Sequence, residues 1–365
     1  LRGWLMTGKQ IEKRFNAFKT AVAILIALAL AFIVIALISD TPVKAITTFI
    51  TGPLQKKSRI GNVLEIMTPL LFTGTAISIM YQANVFNMVG EGAFLIAANL
   101  TTLFCTTYTG LSKLPMVLCC LLVGIFSGVM AAMIPAVLQI RFKANVLVSS
   151  LMMNYILLKL SDYIFLYHLK DTASGLQASR PLPERARLTN IISGTRVHSG
   201  FIIGLAVCII GYLFIYRTKW GYAIRMVGAN ESFAKYSGIS VVSVALATQL
   251  IGGGIAGLGG SAEIMGMYNR FIWFGSQPGY GFDGVLVGVL AGNNPLMVPF
   301  SAFFLAYLRA GADVMNRVTD VPIEFVDVIQ GIIIILVAAE MFMAKFKHKL
   351  IVDNAKKQLE QEEKA

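Results

Sequence analysis

Acidic residues are scarce in this chain: 19 Asp and Glu stand against 31 Lys and Arg in 365 residues, and the four charged types together make up only 14% of it. Soluble domains carry about a quarter. With 56% hydrophobic residues and a mean hydropathy of +0.71, the shortage excludes an ordinary soluble enzyme and points to a chain that crosses a membrane many times. Cysteine and histidine are as sparse. Cys105, Cys119, Cys120 and Cys208 lie in apolar runs without CxxC or Cys/His clustering. They read as small core residues, and neither a disulfide framework nor a zinc site is expected. His168, His198 and His348 stand alone near segment ends. No GxxxxGK[ST] loop occurs, so the chain does not itself hydrolyse a nucleotide in the P-loop manner. No HExxH or GxSxG occurs either. The expectation is a non-catalytic protein with no metal and no cofactor of its own.

What the chain has instead is long apolar text. A spanning helix needs about 20 apolar residues, fewer where helices are broken or buried in protein. Ten segments qualify: 20–38, 63–81, 93–105, 114–138, 145–166, 201–216, 241–260, 284–292, 296–310 and 325–343. The fold class is therefore all-α, a polytopic helical membrane protein of about ten transmembrane helices, with the short third and eighth marking interrupted helices. The first run ends "ALISD" without a small-x-small cleavage site, which reads as a retained helix. Basic residues set the orientation. Lys9, Lys13, Arg14 and Lys19, then Arg141 with Lys143, then Arg217, Lys219, Arg225 and Lys235, and finally Lys345, Lys347 and Lys349 fall on one side when both termini are cytoplasmic. The expected organisation is a cytoplasmic segment 1–19, one permease domain 20–344 and a cytoplasmic tail 345–365. Within the domain, 168–200 is an extracellular loop and 217–241 a cytoplasmic one. The net charge of +12 thus sits at helix ends, and no nucleic acid is expected as a partner.

Polar residues inside the apolar runs are the candidates for function. "YQANVFNMVGEG" (81–92) breaks the hydrophobic text with Asn84, Phe86, Asn87 and Glu91. A charge at the bilayer centre costs roughly 2.5–3.5 kcal/mol on insertion scales, so Glu91 needs a cavity, a partner or a helix N-terminus. Either the segment lines a passage or it is a hairpin whose glutamate caps the next helix. "RFIWFGSQPGYGFDG" (270–284) is a second break; Trp273 and Phe274 suit an interfacial belt, and Phe282 and Asp283 suit the passage. Asn154 and Tyr155 interrupt the fifth segment, where Lys159 and Asp162 are spaced to pair. "GGGIAGLGG" (252–260) reads as close helix packing. Arg180, Arg185 and Arg187 in the long loop suit either plain solvation or an acidic docking partner. "EGAFLIAANL" (91–100) and "DGVLVGVLAG" (283–292) echo each other, either as an inverted repeat would, with interrupted helices meeting near the bilayer midplane, or by chance among apolar text.

One polar stretch, "RTKWGYAIRMVGANESFAKYSGISV" (217–241), is punctuated like a helix although it is too short for a domain. Asn230 is placed to cap, Glu231 complements the positive end, Phe233 and Tyr236 share a face, and Gly238 suits a left-handed stop. A helix of about two turns is marginal alone. A partner's groove would complete its burial; a helix lying on lipid would want a larger continuous apolar face.

The sequence resembles the permease subunits of bacterial ATP-binding cassette importers, in the branch shared by branched-chain amino acid, simple sugar and nucleoside systems, with the nucleoside and simple-sugar permeases most similar. The resemblance rests on "PLLFTGTAISIMYQANVFNMVGEGAFLIAANL" (69–100), "ANVLVSSLMMNYI" (144–156), "RMVGANESFAKYSGISV" (225–241), "GYGFDGVLVGVLAGNNP" (279–295) and "VPIEFVDVIQGIIIILV" (321–337), in the family's order. It implies that 217–241 holds a coupling helix seated in a cytoplasmic ATPase, which carries the ATP and magnesium. Gly228, Ala229, Asn230, Ala234 and Gly238 match the family's small-residue pattern there. It further implies a second permease, expected as a paralogue, an extracellular binding lipoprotein or periplasmic binding protein, and a place in the bacterial plasma (inner) membrane. The expected cargo is a nucleoside, with a simple sugar as the alternative. Ala93 departs from the family, which commonly has glutamine after Gly-Glu-Gly. A rival reading is an ion-coupled secondary transporter or channel using Glu91 and Asp283.

Overall fold

The computed structural model describes residues 29–30, 32–33, 35–36, 39–108, 110–173, 175–273, 275–322, 324, 327–328 and 331–332. Of the expected features, the segment 1–19, most of the first and tenth helices, Phe274 and the tail 345–365 lie outside them. The chain forms two compact units, one of residues 53–310 and one drawn from 1–52 and 311–365.

The smaller unit contains α1 (Pro42–Thr51), which the sequence reading missed. Its signal was present: Pro42 occupies the first helical turn, where a missing N–H is harmless, and Ala45 and Phe49 are buried one turn apart. Ser39 Oγ donates to Asp320 Oδ1 at 2.7 Å, and the Asp40 N–H donates to Oδ2 at 2.8 Å.

The larger unit is built from α2 (Lys57–Gln82), α3 (Gly90–Thr107), α4 (Lys113–Phe142), α5 (Val146–Ile164), α6 (Gly200–Arg217), α7 (Lys219–Ala229), α8 (Glu231–Tyr236), α9 (Val241–Glu263) and α10 (Tyr280–Leu290), with α11 (Val298–Val318) beginning in it. No strand occurs among the described residues, only three isolated bridges. Eight of the ten expected helices are thus present. α2, α4, α6 and α9 with its extension to Tyr268 are long and apolar enough to span a membrane.

α2 from Met67 to Met80 and α3 from Gly90 to Asn99 are buried all round, which is the mark of an interior helix. Hydroxyls along α2 are satisfied locally, since Thr68, Thr73 and Thr75 donate to the carbonyls four residues back. α4, in contrast, exposes Leu114, Leu118, Leu122, Phe126 and Met130 at helical spacing, an apolar stripe suited to lipid or another membrane protein. The opposite face of α4 carries Gly124 and Gly128. A Cβ on either would overlap the carbonyl of Gly257 or the backbone of Gly253 on α9. The glycine run of α9 therefore serves close packing, in line with the sequence reading. Cys105, Cys120 and Cys208 are buried and their thiols are free.

The long connection 170–199 is folded against the bundle. Ser179, Leu182 and Leu188 donate backbone N–H groups to the carbonyls of Phe271, Asn269 and Met265. Leu182, Ala186 and Leu188 join the core around Phe165 and Phe271. His198 is walled between Gly200 and Gly266, and burial pushes its imidazole down to about 4. Its Nδ1 accepts the Gly200 N–H at 3.2 Å, which places the proton of the neutral ring on Nε2. The ring is therefore uncharged where it faces Glu263 at 3.9 Å, and the contact is not an ion pair at neutral pH.

Candidate functional site

The break between α2 and α3 gathers most of the polar residues singled out in the sequence. α2 stops at Gln82, and Asn84 turns the chain with φ of 57°, a left-handed conformation that asparagine tolerates. The chain re-enters the bundle at Gly90. Neighbouring helices supply what the exposed turn needs. Asn87 Oδ1 accepts the Val89 N–H at 2.9 Å, and Ser150 Oγ on α5 accepts the Met88 N–H at 3.0 Å. Asn154, also on α5, accepts the Gly92 N–H at 2.9 Å and donates to the Met88 carbonyl at 2.8 Å. Asn87 Nδ2 donates to Gln249 Oε1 of α9 at 2.7 Å, and Gln249 Nε2 donates to Gln139 Oε1 of α4 at 2.9 Å. Asn87 and Asn154 are buried braces here.

Glu91 crosses to the second break. Its carboxylate accepts the N–H groups of Gly279, at 2.6 Å, and Gly281, at 2.5 Å, at the start of α10. A Cβ on Gly281 would overlap the Glu91 backbone. Two helix N-termini therefore meet, and one carboxylate offsets the positive ends of both. The sequence reading weighs a cap on the following helix; the carboxylate instead accepts from the start of the distant α10. Asp283, in the first turn of α10, pairs with Arg309 of α11 through both oxygens, at 2.7 and 2.5 Å. A two-pronged guanidinium contact is the strong form of such a pair.

Three aromatic candidates remain accessible around this junction. Phe86 is 45% exposed, Tyr155 62% and Phe282 40%. Phe86 also packs edge-on against Tyr81, with ring centroids 4.7 Å apart. Lys159 and Asp162 do pair, at 3.2 Å, and Asp162 also accepts the indole N–H of Trp273 at 2.9 Å, which tethers Trp273. Arg180 and Arg185 are exposed on the long connection, whereas Arg187 is half-buried and donates to the Leu182 carbonyl at 2.9 Å. Among the described residues no group of three or more His, Cys, Asp or Glu side chains is placed to hold a metal.

At the other end of α6 the chain forms an arm. α7 is capped by Thr218, whose hydroxyl accepts the Gly221 N–H at 3.0 Å, a helix in a stretch whose mixed composition reads as loop. α8 follows at once. Asn230 Oδ1 accepts the Phe233 N–H at 2.9 Å. The C-terminus is closed by Gly238 at φ of 79°, with its N–H on the Lys235 carbonyl and the Ile239 N–H on the Ala234 carbonyl, the paired bonds of a Schellman stop. Ala234 is buried in a cluster with Ile79, Ala83, Ile215, Ile224, Val227 and Val244. On the other side Phe233 is 56% exposed and Tyr236 93%, while Gly228 on α7 packs on Gln82. Ala229, Asn230 and Glu231 are exposed at the α7–α8 junction. Arg309, Ser150 and Gln82 were not foreseen as partners, because each acts on a residue distant in sequence.

Residues 59–338 match the family described as branched-chain amino acid transport system, permease component. The chain is 30% identical over 297 residues to the guanosine ABC transporter permease protein NupP of Bacillus subtilis, covering 80% of this chain and 85% of that protein. It is 26% identical over 340 residues to a glucose ABC transporter permease protein of Haloferax volcanii, covering 90% and 89%. It is 24% identical over 331 residues to the nucleoside ABC transporter permease protein NupB of Lactococcus lactis, covering 88% and 90%. No solved structure matches the chain.

Proposed function

The chain belongs to the family of branched-chain amino acid transport system permease components and is a membrane permease subunit of an ABC importer, and from that premise we propose that its cargo is a nucleoside and that its driving force enters through α8. The cargo reading leans on the relatives named for guanosine and nucleosides, with the glucose permease keeping a simple sugar as the second reading. The observation that carries the force reading is the make-up of α8. It is a six-residue helix, capped at both ends, that buries Ala234 in the bundle and leaves Phe233 and Tyr236 bare. So short a helix has little stability of its own, so its two-sided design suits a piece completed by a partner's groove.

In this reading an ATPase holding ATP and magnesium docks on Phe233 and Tyr236 from the cytoplasm. A second permease, a paralogue of this chain, completes the passage, and a binding lipoprotein or periplasmic binding protein delivers cargo to the face bearing Arg180 and Arg185. Both termini lie in the cytoplasm of a bacterial cell. Phe86, Tyr155 and Phe282 offer flat faces to a nucleobase, while Asn87, Glu91, Asn154 and Asp283 hold the framework. Transport requires that the ATPase hold the arm differently with and without ATP, since a partner indifferent to the two positions shifts no equilibrium.

The test is Ala234→Arg, or deletion of 230–238, in cells carrying the whole transporter. The expected result is loss of guanosine uptake with normal amounts of the chain in the membrane and weakened co-purification of the ATPase. Uptake at the normal rate refutes the role of α8.

A further inference from the structure

The arm meets the bundle at a residue that borders the break before α3 and also contacts the turn after α10. Gly228 of α7 lies against the backbone of Gln82, the last residue of α2. A Cβ at Gly228 would overlap the Gln82 carbonyl oxygen and stand 2.9 Å from its carbon and 3.3 Å from Ala83 Cα. The side chain of Gln82 reaches elsewhere. Its Nε2 donates to the Asn293 carbonyl at 2.7 Å and lies 3.4 Å from the Tyr216 hydroxyl at the end of α6. The Tyr216 ring in turn carries the guanidinium of Arg225, from α7, at 5.1 Å. Gln82 is followed by the left-handed Asn84 and bonded to the left-handed Asn293. Asn84 opens the turn into α3, and Asn293 closes the turn after α10, the two helices whose starts Glu91 joins.

Two further atoms belong to this cluster. Arg225 Nε and Asn293 Oδ1 are buried without a hydrogen-bond partner. One is a donor and the other an acceptor, and they sit on the two neighbours of the Tyr216–Gln82 pair. Buried polar atoms are rarely left so, and an unpartnered donor and an unpartnered acceptor on two contacts of the same cluster suit a joint that exchanges partners between two packed arrangements.

We propose that Gln82 is the joint that carries displacement of the α7–α8 arm to both interrupted helices at once. Its backbone takes the push at Gly228 and its amide passes it to the turn after α10, so that the starts of α3 and α10 move together. Gln82 touches neither cargo nor nucleotide and is a positioning residue. This rests on reading α8 as the entry point of the driving force.

The experiment uses the complete transporter in vesicles, with guanosine and glucose as probes, and reads cargo accumulated per ATP hydrolysed. Gln82→Met keeps the bulk of the side chain and removes both polar contacts. The expected result is a fall of roughly tenfold in cargo per ATP, on the scale of one or two lost hydrogen bonds, with ATP hydrolysis and subunit assembly retained. Gly228→Ala, which wedges the arm away from Gln82 while leaving the amide in place, is expected to give the same split. A normal ratio in Gln82→Met overturns the proposal, including the case in which yield or thermal stability falls and the ratio does not, because a merely structural residue would behave so. Ala234→Arg separates the two levels. If it uncouples transport and Gln82→Met does not, the joint alone is wrong; if Ala234→Arg leaves the ratio normal, the lever falls and the joint with it.

Discussion

A carboxylate inside an apolar bundle persists only where something compensates it, and Asp283 has that compensation in Arg309. Asp283 is nearly buried, while Arg309 keeps about a quarter of its side chain accessible. Removing one partner of a buried pair strands the other. Asp283→Asn is therefore expected to destabilise the protein by about 2–3 kcal/mol, below the range for fully buried pairs because Arg309 reaches solvent. Thermal unfolding in detergent measures it, and Asp283→Asn with Arg309→Met together should cost less than the sum of the two single changes. Equal and additive losses would show that the pair does not interact. The sequence made some of these partnerships legible and hid others. Lys159 and Asp162 lie three apart on one helix, so their pairing could be read from spacing. Arg309 and Asp283 are 26 positions apart on different helices, and Glu91 finds its donors 188 and 190 positions away. Such contacts follow from which helices lie side by side, which apolar text does not encode.

At the scale of elements, hydrophobic length located eight helices, most within a few residues, though α2 starts at Lys57 and α11 runs on to Val318, because runs of apolar side chains have few other stable arrangements in a membrane. Two helices escaped that signal. α1 and α7 are short and mixed in composition, and their evidence is a proline at the first turn and a threonine cap, both of which serve loops equally well. α8 was legible in full, since Asn230, Glu231 and Gly238 each favour one end of a helix. Its brevity makes those ends decisive. Asn230→Ala removes the bond to the Phe233 N–H, worth about 1 kcal/mol, and Gly238→Ala forces a side chain into the left-handed region, costing about as much again. Neither site touches the interior of the bundle, and a Cβ at Gly238 meets nothing within 4 Å. The double variant should therefore insert and fold normally yet bind the ATPase roughly tenfold more weakly or worse, since about 2 kcal/mol of helix ordering moves to the binding step. Titration of purified ATPase against the variant in detergent measures this; unchanged affinity would show that α8 is not the docked element.

At the scale of the whole molecule, the weak echo between 91–100 and 283–292 acquires a physical meaning. α3 and α10 both begin inside the bundle, both carry an acid in the first turn, and their starts touch at Glu91 and Gly281. Two N-termini repel unless negative charge lies between them, and Glu91 supplies it. The arrangement bears on the source of energy. A carrier driven by an ion gradient needs a site that gains and loses the ion during the cycle, and inside apolar helices that site is ordinarily an ionisable side chain. Glu91 is bound by two backbone N–H groups and Asp283 by Arg309, so the two acids that such a carrier would use are already occupied in building the junction. The chain reconstituted alone in vesicles, without an ATPase, is thus expected to accumulate no guanosine above the outside concentration, whether a proton or sodium gradient is imposed. Adding the ATPase, second permease and binding protein should restore accumulation that survives collapse of the gradient by an ionophore and disappears with vanadate. Uphill accumulation by the single chain under an ion gradient would mean that Glu91 or Asp283 leaves its partner during the cycle, and the junction would then be the engine and not the frame.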